Sequence, residues 1–297
     1  MTDAPPGWDH YRSLLAVLET GSLSAAARHL GLTQPTLGHH IAALEAALGV
    51  PLFTRSPRGL QPTATARLLR PHAEAMAAAE GALRRAASAE AGGERGTVRI
   101  TASEVVGGLV LPPYLAEFRR RHPGIVLELS LSNLSEDLLH QAADIAIRMV
   151  TPRQEALVAR PLGEIHLGLY ARADYLAAAG TPARLEDIAG HALIGPDRDR
   201  AVLRGLGVAA LAPEAFTLRL DDQAAQFAFI RAGYGIGVCQ CGLAAREPGL
   251  VRLLPEAFEA RLPVWLVCHE DLRASRRVRL VFDFLAEALA DYIVRGG

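Results

Sequence analysis

The stretch SLSAAARHLGLTQPTLGHHIAALEAALG, residues 22–49, constrains this chain more than any other. Two short helical patterns flank a Gly-Leu-Thr break, and a break so short turns the second helix sharply against the first. Ser22 stands where the first of them needs an N-cap and Gly31 where it must stop. Thr33 caps the second, and Pro35 falls in its first turn, where a missing N–H costs little. Leu37, Ile41, Leu44 and Leu48 recur at helical spacing and predict that helix's inward stripe; Ala26, Ala27 and Leu30 line one side of its neighbour. A supporting helix precedes the pair, read from Asp9 as N-cap to a break at Gly21, with Tyr11, Leu14, Leu15 and Leu18 on its buried face. Three helices in this order describe a helix-turn-helix.

The segment PLFTRSPRGLQPT that follows, residues 51–63, is rich in Pro, Gly and Arg and reads as a β-hairpin wing. From Thr63 an Ala-rich helix is predicted to about Ala91, with Leu69, Met76 and Leu83 seven residues apart. A seven-residue apolar repeat on a helix with few other core partners predicts pairing with a second copy. EAGGERG, residues 90–96, reads as a hinge. Beyond it the texture changes. TVRIT is a short strand, a helix runs through Phe118 and Arg121, and IVLELSL and ADIAIR are further strands. Alternation continues to Leu266, and an amphipathic helix closes the chain from about Arg276 to Val294. Such alternation predicts an α/β sheet with covered faces.

Composition narrows the partners. The formal net charge is −1, so any nucleic-acid contact must come from a local patch rather than from the chain as a whole. All 31 basic side chains are Arg. No basic-then-apolar leader opens the sequence and no apolar run approaches the ~20 residues of a membrane span, which predicts a cytoplasmic protein with no membrane partner. Three cysteines cannot all pair within one chain, which suits a reducing compartment.

The run GSLSAAARHLGLTQPTLGHHIAALEAALGVPLFTR resembles the LysR-type transcriptional regulators nearly position by position. PPYLAEFRRRHPGIVLEL, ADIAIR, IRAGYGIGV and VRLVFDFL fall further along in the family's order, so the resemblance spans almost the whole chain. It implies a winged helix-turn-helix over residues 1–62, a dimerising linker helix and hinge over 63–95, and an effector domain over 96–297. The last would be a two-lobed α/β domain like the periplasmic solute-binding proteins. The implied function is sequence-specific DNA binding that regulates transcription in response to a small molecule, without catalysis or cofactor. The implied partners are double-stranded DNA, a small effector, further copies of the chain in a dimer or tetramer, and RNA polymerase. A different reading of the same residues is a cytoplasmic small-molecule-binding α/β protein carrying a non-regulatory helical module.

With Leu37, Ile41 and Leu44 inward, Gln34, Pro35, Thr36, Gly38 and His39 occupy the remaining surface of their helix. Gln can bond adenine bidentately, and Thr and Pro carbons can meet a thymine methyl. Arg55 and Arg58 lie on the wing, within reach of phosphate or a narrow minor groove. Ser22 and Thr33, caps first of all, sit at helix N-termini whose backbone N–H groups favour phosphate, as does Thr63. Gly38 stands where the family usually has Ser, and His39 where it has Arg or Lys.

For the effector, Ser103 and Glu104 follow the strand TVRIT, Asn133 follows IVLELSLS, and Arg148 ends ADIAIR. By resemblance these strand ends open on one cleft, with Asp222 and Gln223 facing it from the other lobe. Ser103 and Arg148 suit an organic acid, whereas Glu104 would favour an amine. Two further signals carry less. GYGIGV, Gly233–Val238, has the glycine spacing of a dinucleotide loop but follows a predicted helix and precedes a strand, the reverse of what that loop needs. Cys239 and Cys241, with Cys268 and His269 elsewhere, lack metal-ligand spacing and read as buried thiols.

Overall fold

A computed structural model describes residues 5–56, 59–89, 94–133, 143–150, 157–198, 213–269 and 275–296. They form two compact units, one ending at Arg85 and the other starting at Ala86.

In the first unit α1 (Trp8–Thr20), α2 (Leu23–Leu30) and α3 (Gln34–Leu48) precede an antiparallel hairpin of β1 (Phe53–Ser56) and β2 (Gly59–Pro62), and α4 (Ala64–Ala89) follows. Gly21, Gly31 and Gly49 end the first three helices, each at a φ near +68° that an L side chain resists. Helix α1 is capped two residues earlier than its sequence suggests. Its N-cap is Gly7, which has no side chain to bond, and Asp9 lies within the first turn, where its charge still suits the positive helix end. Leu14, Val17, Ala26, Ala27, Leu37, Ile41, Leu44 and Leu52 form the core. Leu48 does not join it. The side chain is 37% exposed at the last turn of α3, and Leu52, beyond the Gly49 stop, is fully buried in the cluster instead. On α4, Leu69 packs against this core, while Met76 and Leu83 are 41% and 72% exposed.

The second unit is built on a mixed seven-stranded sheet. Its parallel part comprises β3 (Gly96–Ala102), β4 (Ile125–Leu131) and β5 (Ile145–Arg148), with α5 (Pro112–Arg121) between the first two. Its antiparallel part is organised by the long β6 (Leu157–Arg172), followed by α6 (Ala173–Ala179), the short parallel pair β7 (Ile194–Gly195) and β8 (Leu218–Arg219), and α7 (Gln223–Arg231). Then come β9 (Gly237–Gln240), α8 (Cys241–Ala244), β10 (Leu250–Leu253), β11 (Ala260–His269) and α9 (Arg276–Arg295). The strand order is β10-β6-β11-β5-β3-β4, with β9 also paired to β6. The strand–helix alternation in the sequence does not reveal this change from parallel to antiparallel pairing. Helix α9 buries Val278, Val281, Leu285, Leu289 and Tyr292, a stripe at helical spacing against the largest apolar cluster. A second cluster gathers Leu169, Leu176, Ile188, Leu193, Ile236 and Phe258.

Candidate nucleic-acid interface and effector cleft

Packing Leu37, Ile41 and Leu44 inward leaves Thr33, Gln34, Pro35, Thr36 and His39 exposed and Gly38 half-buried. Thr33 Oγ1 accepts the Thr36 amide at 3.3 Å and lies 2.7 Å from the Thr36 hydroxyl. Ser22 Oγ accepts the Ala25 amide at 3.5 Å, the longer of the two caps. Both residues therefore cap as expected. Ser24, not singled out in the sequence, donates to Gln34 Oε1 at 2.7 Å and ties the first turn of α2 to that of α3. That bond uses one of the two lone pairs of Oε1 and leaves the other, together with the NH2 group, for pairing with both atoms of an adenine edge. Arg55 lies on β1 opposite Leu60, and Arg58 lies outside the described residues. Thr63 caps α4, accepting from the Ala66 amide at 3.2 Å.

Two further polar residues hold this surface in place. Glu45 Oε1 accepts the amides of Leu52 at 2.6 Å and Phe53 at 3.2 Å, so α3 positions the start of the wing. Ser13, fully buried in α1, lies 2.9 Å from His40 Nδ1 on α3, and the His10 ring stands 5.1 Å from that of His40. Burial first, then the neighbouring His10, pull the His40 pKa below its ordinary value. A serine directly before the apolar run Leu14–Val17 of α1 was the one signal of this brace available in the sequence.

In the second unit Ser103, Glu104, Asn133 and Arg148 fall at the carboxyl ends of the neighbouring parallel strands β3, β4 and β5 for a topological reason. The chain leaves β3 for β4 on one side and then crosses to β5 on the other, so the strand order reverses at β3. Crevices at the carboxyl ends of parallel strands open at such points. The ladder pairs Thr101 with Ala146 and Ala102 with Leu131. Carried two residues further, the register sets Ser103 level with Arg148 and Glu104 level with Asn133. Hydrogen bonds fix the second pair: the Glu104 amide donates to Asn133 Oδ1 at 3.1 Å, and Asn133 Nδ2 donates to Glu104 Oε2 at 2.9 Å. Ser103 Oγ accepts the Val106 amide at 3.4 Å at the start of a π-helical turn, Val106–Val110. That turn presses on β4 so closely that a Cβ at Gly107 would lie 2.1 Å from Leu131 Cδ2. Arg148 is 9% exposed, and burial lowers its pKa to about 10, which leaves it cationic at neutral pH. Thr101 shares Ser103's side of β3; its Oγ1 is buried with no hydrogen-bond partner among the described residues. Nothing in the sequence distinguished it from the other β-branched residues of TVRIT.

Asp222 and Gln223 are not drawn into this group by any hydrogen bond or ion pair among the described residues. Asp222 caps α7, accepting the Ala225 amide at 2.9 Å, and Gln223 is exposed. The GYGIGV run does follow a helix, α7, and lead into a strand, β9, whose first two residues are its last two. Cys239, Cys241 and Cys268 are buried and outside any disulfide. Burial raises the Cys239 thiol pKa, and between Cys239 and Cys241 the Gln240 side chain accepts the Tyr292 hydroxyl at 2.7 Å. Among the described residues no helix is long and apolar enough to cross a membrane.

Comparison with known proteins places both units. Residues 8–67 match the family described as bacterial regulatory helix-turn-helix protein, lysR family, and residues 91–290 match the LysR substrate binding domain. The chain is 28% identical over 295 residues to the HTH-type transcriptional regulator YhjC of Escherichia coli, covering 94% of this chain and 96% of that one. The structure of CrgA, a LysR-type transcriptional regulator from Neisseria meningitidis, superposes with a TM-score of 0.59 at 25% identity over 97% of this chain and 99% of that one. Full-length CbnR complexed with its target DNA has the same fold, with a TM-score of 0.63 at 20% identity over 95% and 99% of the two chains.

Proposed function

The chain belongs to the LysR-type transcriptional regulators, a DNA-binding helix-turn-helix joined to an effector-binding domain, and on that premise we propose which of its residues do the binding. In this reading the first turns of α3 enter the major groove. Gln34, Pro35, Thr36, Gly38 and His39 face the bases, and the caps Ser22 and Thr33 bring backbone N–H groups to phosphate. Arg55 and Arg58 reach phosphate or the minor groove from the wing. The burial of Leu37, Ile41 and Leu44 on the opposite face supports this orientation. CbnR, a protein of like fold, has been solved on its target DNA.

The proposed domains are residues 1–62 for DNA, 63–95 for the linker and 96–297 for the effector. Exposed Met76 and Leu83 on one stripe of α4 favour pairing with a second copy, and two such dimers would make a tetramer. The protein is taken to act in the cytoplasm by binding alone, with RNA polymerase as its downstream contact. A small-molecule-binding protein with an idle helical module is not favoured, because both units match the regulator family.

One observation supports the sensing role: Ser103, Glu104, Asn133 and Arg148 fall at the carboxyl ends of neighbouring parallel strands where the strand order reverses, with Glu104 and Asn133 hydrogen-bonded to each other. We assign them to a small organic acid or an amine-bearing acid, with Arg148 meeting the anion and the oriented Glu104 carboxylate meeting any amine. Gln223 and the capped end of α7 at Asp222 would contact the ligand from the other lobe. Thermal-shift screening of a metabolite library on the wild type, Ser103→Ala and Arg148→Ala tests this, since a ligand bound only to the folded state raises its stability. Hits that stabilise the wild type alone are expected. Hits that stabilise all three proteins equally would put the effector elsewhere.

A further inference from the structure

We propose a second small-molecule site in this chain, for a small aromatic carboxylate, in a recess where α9 begins. The recess has a volume of about 320 Å³, at the lower end of the range of ~300–1,000 Å³ typical of ligand pockets. Strand register builds one wall. Val158 on β6 lies opposite Cys268 on β11, and Arg160, two residues on, emerges on the same face as Val158. Helix α9 supplies the other wall from its first two turns, with Val278 and Phe282 four residues apart and Arg279 and Asp283 four apart beside them. Val278 and Cys268 are buried, whereas Arg160, Arg279 and Asp283 are exposed. The recess is therefore apolar within and charged at its mouth.

The two guanidinium groups set the ligand's sign. Several arginines elsewhere on this unit pair with carboxylates, as Arg121 does with Glu117, Arg231 with Glu247, and Arg295 with Asp291. Arg160 and Arg279 have no ion-pair or side-chain hydrogen-bond partner among the described residues. Even Asp283, at helical pairing distance from Arg279, makes no ion pair with it. Among the described lining residues, two cations against one carboxylate leave a net positive mouth over an apolar interior. Guanidinium recognises a planar carboxylate through paired N–H bonds, and the Phe282 ring offers an aromatic body an edge or a face. None of Ser103, Glu104, Asn133, Arg148, Asp222 or Gln223 lines this recess, so the site does not depend on the cleft assignment. An occupant would fasten the first turns of α9 to β6 and β11.

Calorimetric titration of the full-length protein with benzoate tests the site, with benzamide as its uncharged counterpart and inorganic phosphate as an anion lacking a ring. Benzoate is expected to bind at least tenfold more tightly than either. Arg160→Gln and Arg279→Gln should each weaken benzoate about tenfold or more. Asp283→Asn should tighten it several-fold, a gain that a damaged fold would not produce. Ser103→Ala should leave benzoate affinity unchanged. Absence of benzoate binding at millimolar concentration would overturn the proposal. Equal binding of benzamide or phosphate would do the same, as would loss of binding in Ser103→Ala with retention in the two arginine variants.

Discussion

Replacing Gly38 with alanine separates what α3 needs as a helix from what it needs as a contact surface. Gly38 lies in the second turn of α3, outside the left-handed φ region, and a Cβ built there meets nothing within 4 Å. Glycine inside a helix costs about 1 kcal/mol relative to alanine, so Gly38→Ala should stabilise the first unit by about that amount. Part of the gain comes from restricting the unfolded chain. One kcal/mol is about fivefold in an opening equilibrium. Amides across Gln34–Leu48 should therefore exchange with deuterium about fivefold more slowly in the variant, while peptides from Arg276–Arg295 serve as an unaffected control. Gly38→Ser should give roughly half the gain, since serine is the poorer helix former. Unchanged or faster exchange across α3 would refute the steric and conformational reasoning. A loss of DNA affinity alongside slower exchange would mean that the backbone at Gly38 approaches the DNA closely.

Other perturbations separate the remaining roles. Gln34→Ala should relax selectivity at one base position at a cost of roughly 1–3 kcal/mol, whereas Arg58→Ala should weaken all sequences together and lower the salt slope; unchanged behaviour of both would refute these contacts. The double variant Met76→Glu, Leu83→Glu removes two apolar side chains from each partner of the proposed dimer. Its dissociation constant should rise about a hundredfold or more, and sedimentation showing an unaltered dimer would place the interface elsewhere. His40 has a folded-state pKa below its unfolded value of 6.5, so the folded chain binds fewer protons there than the unfolded chain. The stability it contributes is complete above pH 6.5 and declines as pH falls through that value toward the folded pKa. His40→Gln should flatten the acid side of the first unit's stability profile, and an identical pH slope would show that another group governs it.

The sequence displayed the first unit almost in full because its local rules agree with one another. Caps at Ser22 and Thr33, stops at Gly31 and Gly49, and the stripe of Leu37, Ile41 and Leu44 each specify the same turn. Periodicity overreached at Leu48, since spacing alone does not say where packing partners run out and Leu52 closes the core. It also missed bonds between residues far apart in the chain, such as Ser13 with His40 and Glu45 with the wing amides, because pairing across a fold leaves no periodic trace. In the second unit the strands were legible but their order was not. Only the reversal at β3 explains why Ser103 and Arg148, 45 residues apart, fall at the ends of neighbouring strands. The Thr101 hydroxyl, without a hydrogen-bond partner among the described residues, emerged only with burial, which a five-residue strand motif does not encode.

Selection of bound sites from random double-stranded DNA by the full-length protein bears most directly on its role as a sequence-specific regulator. A dimer that places one α3 in each of two successive major-groove turns should enrich a two-fold symmetric sequence with half-sites ~34 Å apart. Enrichment of such a site by the wild type, with one position degraded in Gln34→Ala, is the expected result. Binding that depends on salt alone, with no sequence enriched after repeated rounds, would contradict that role.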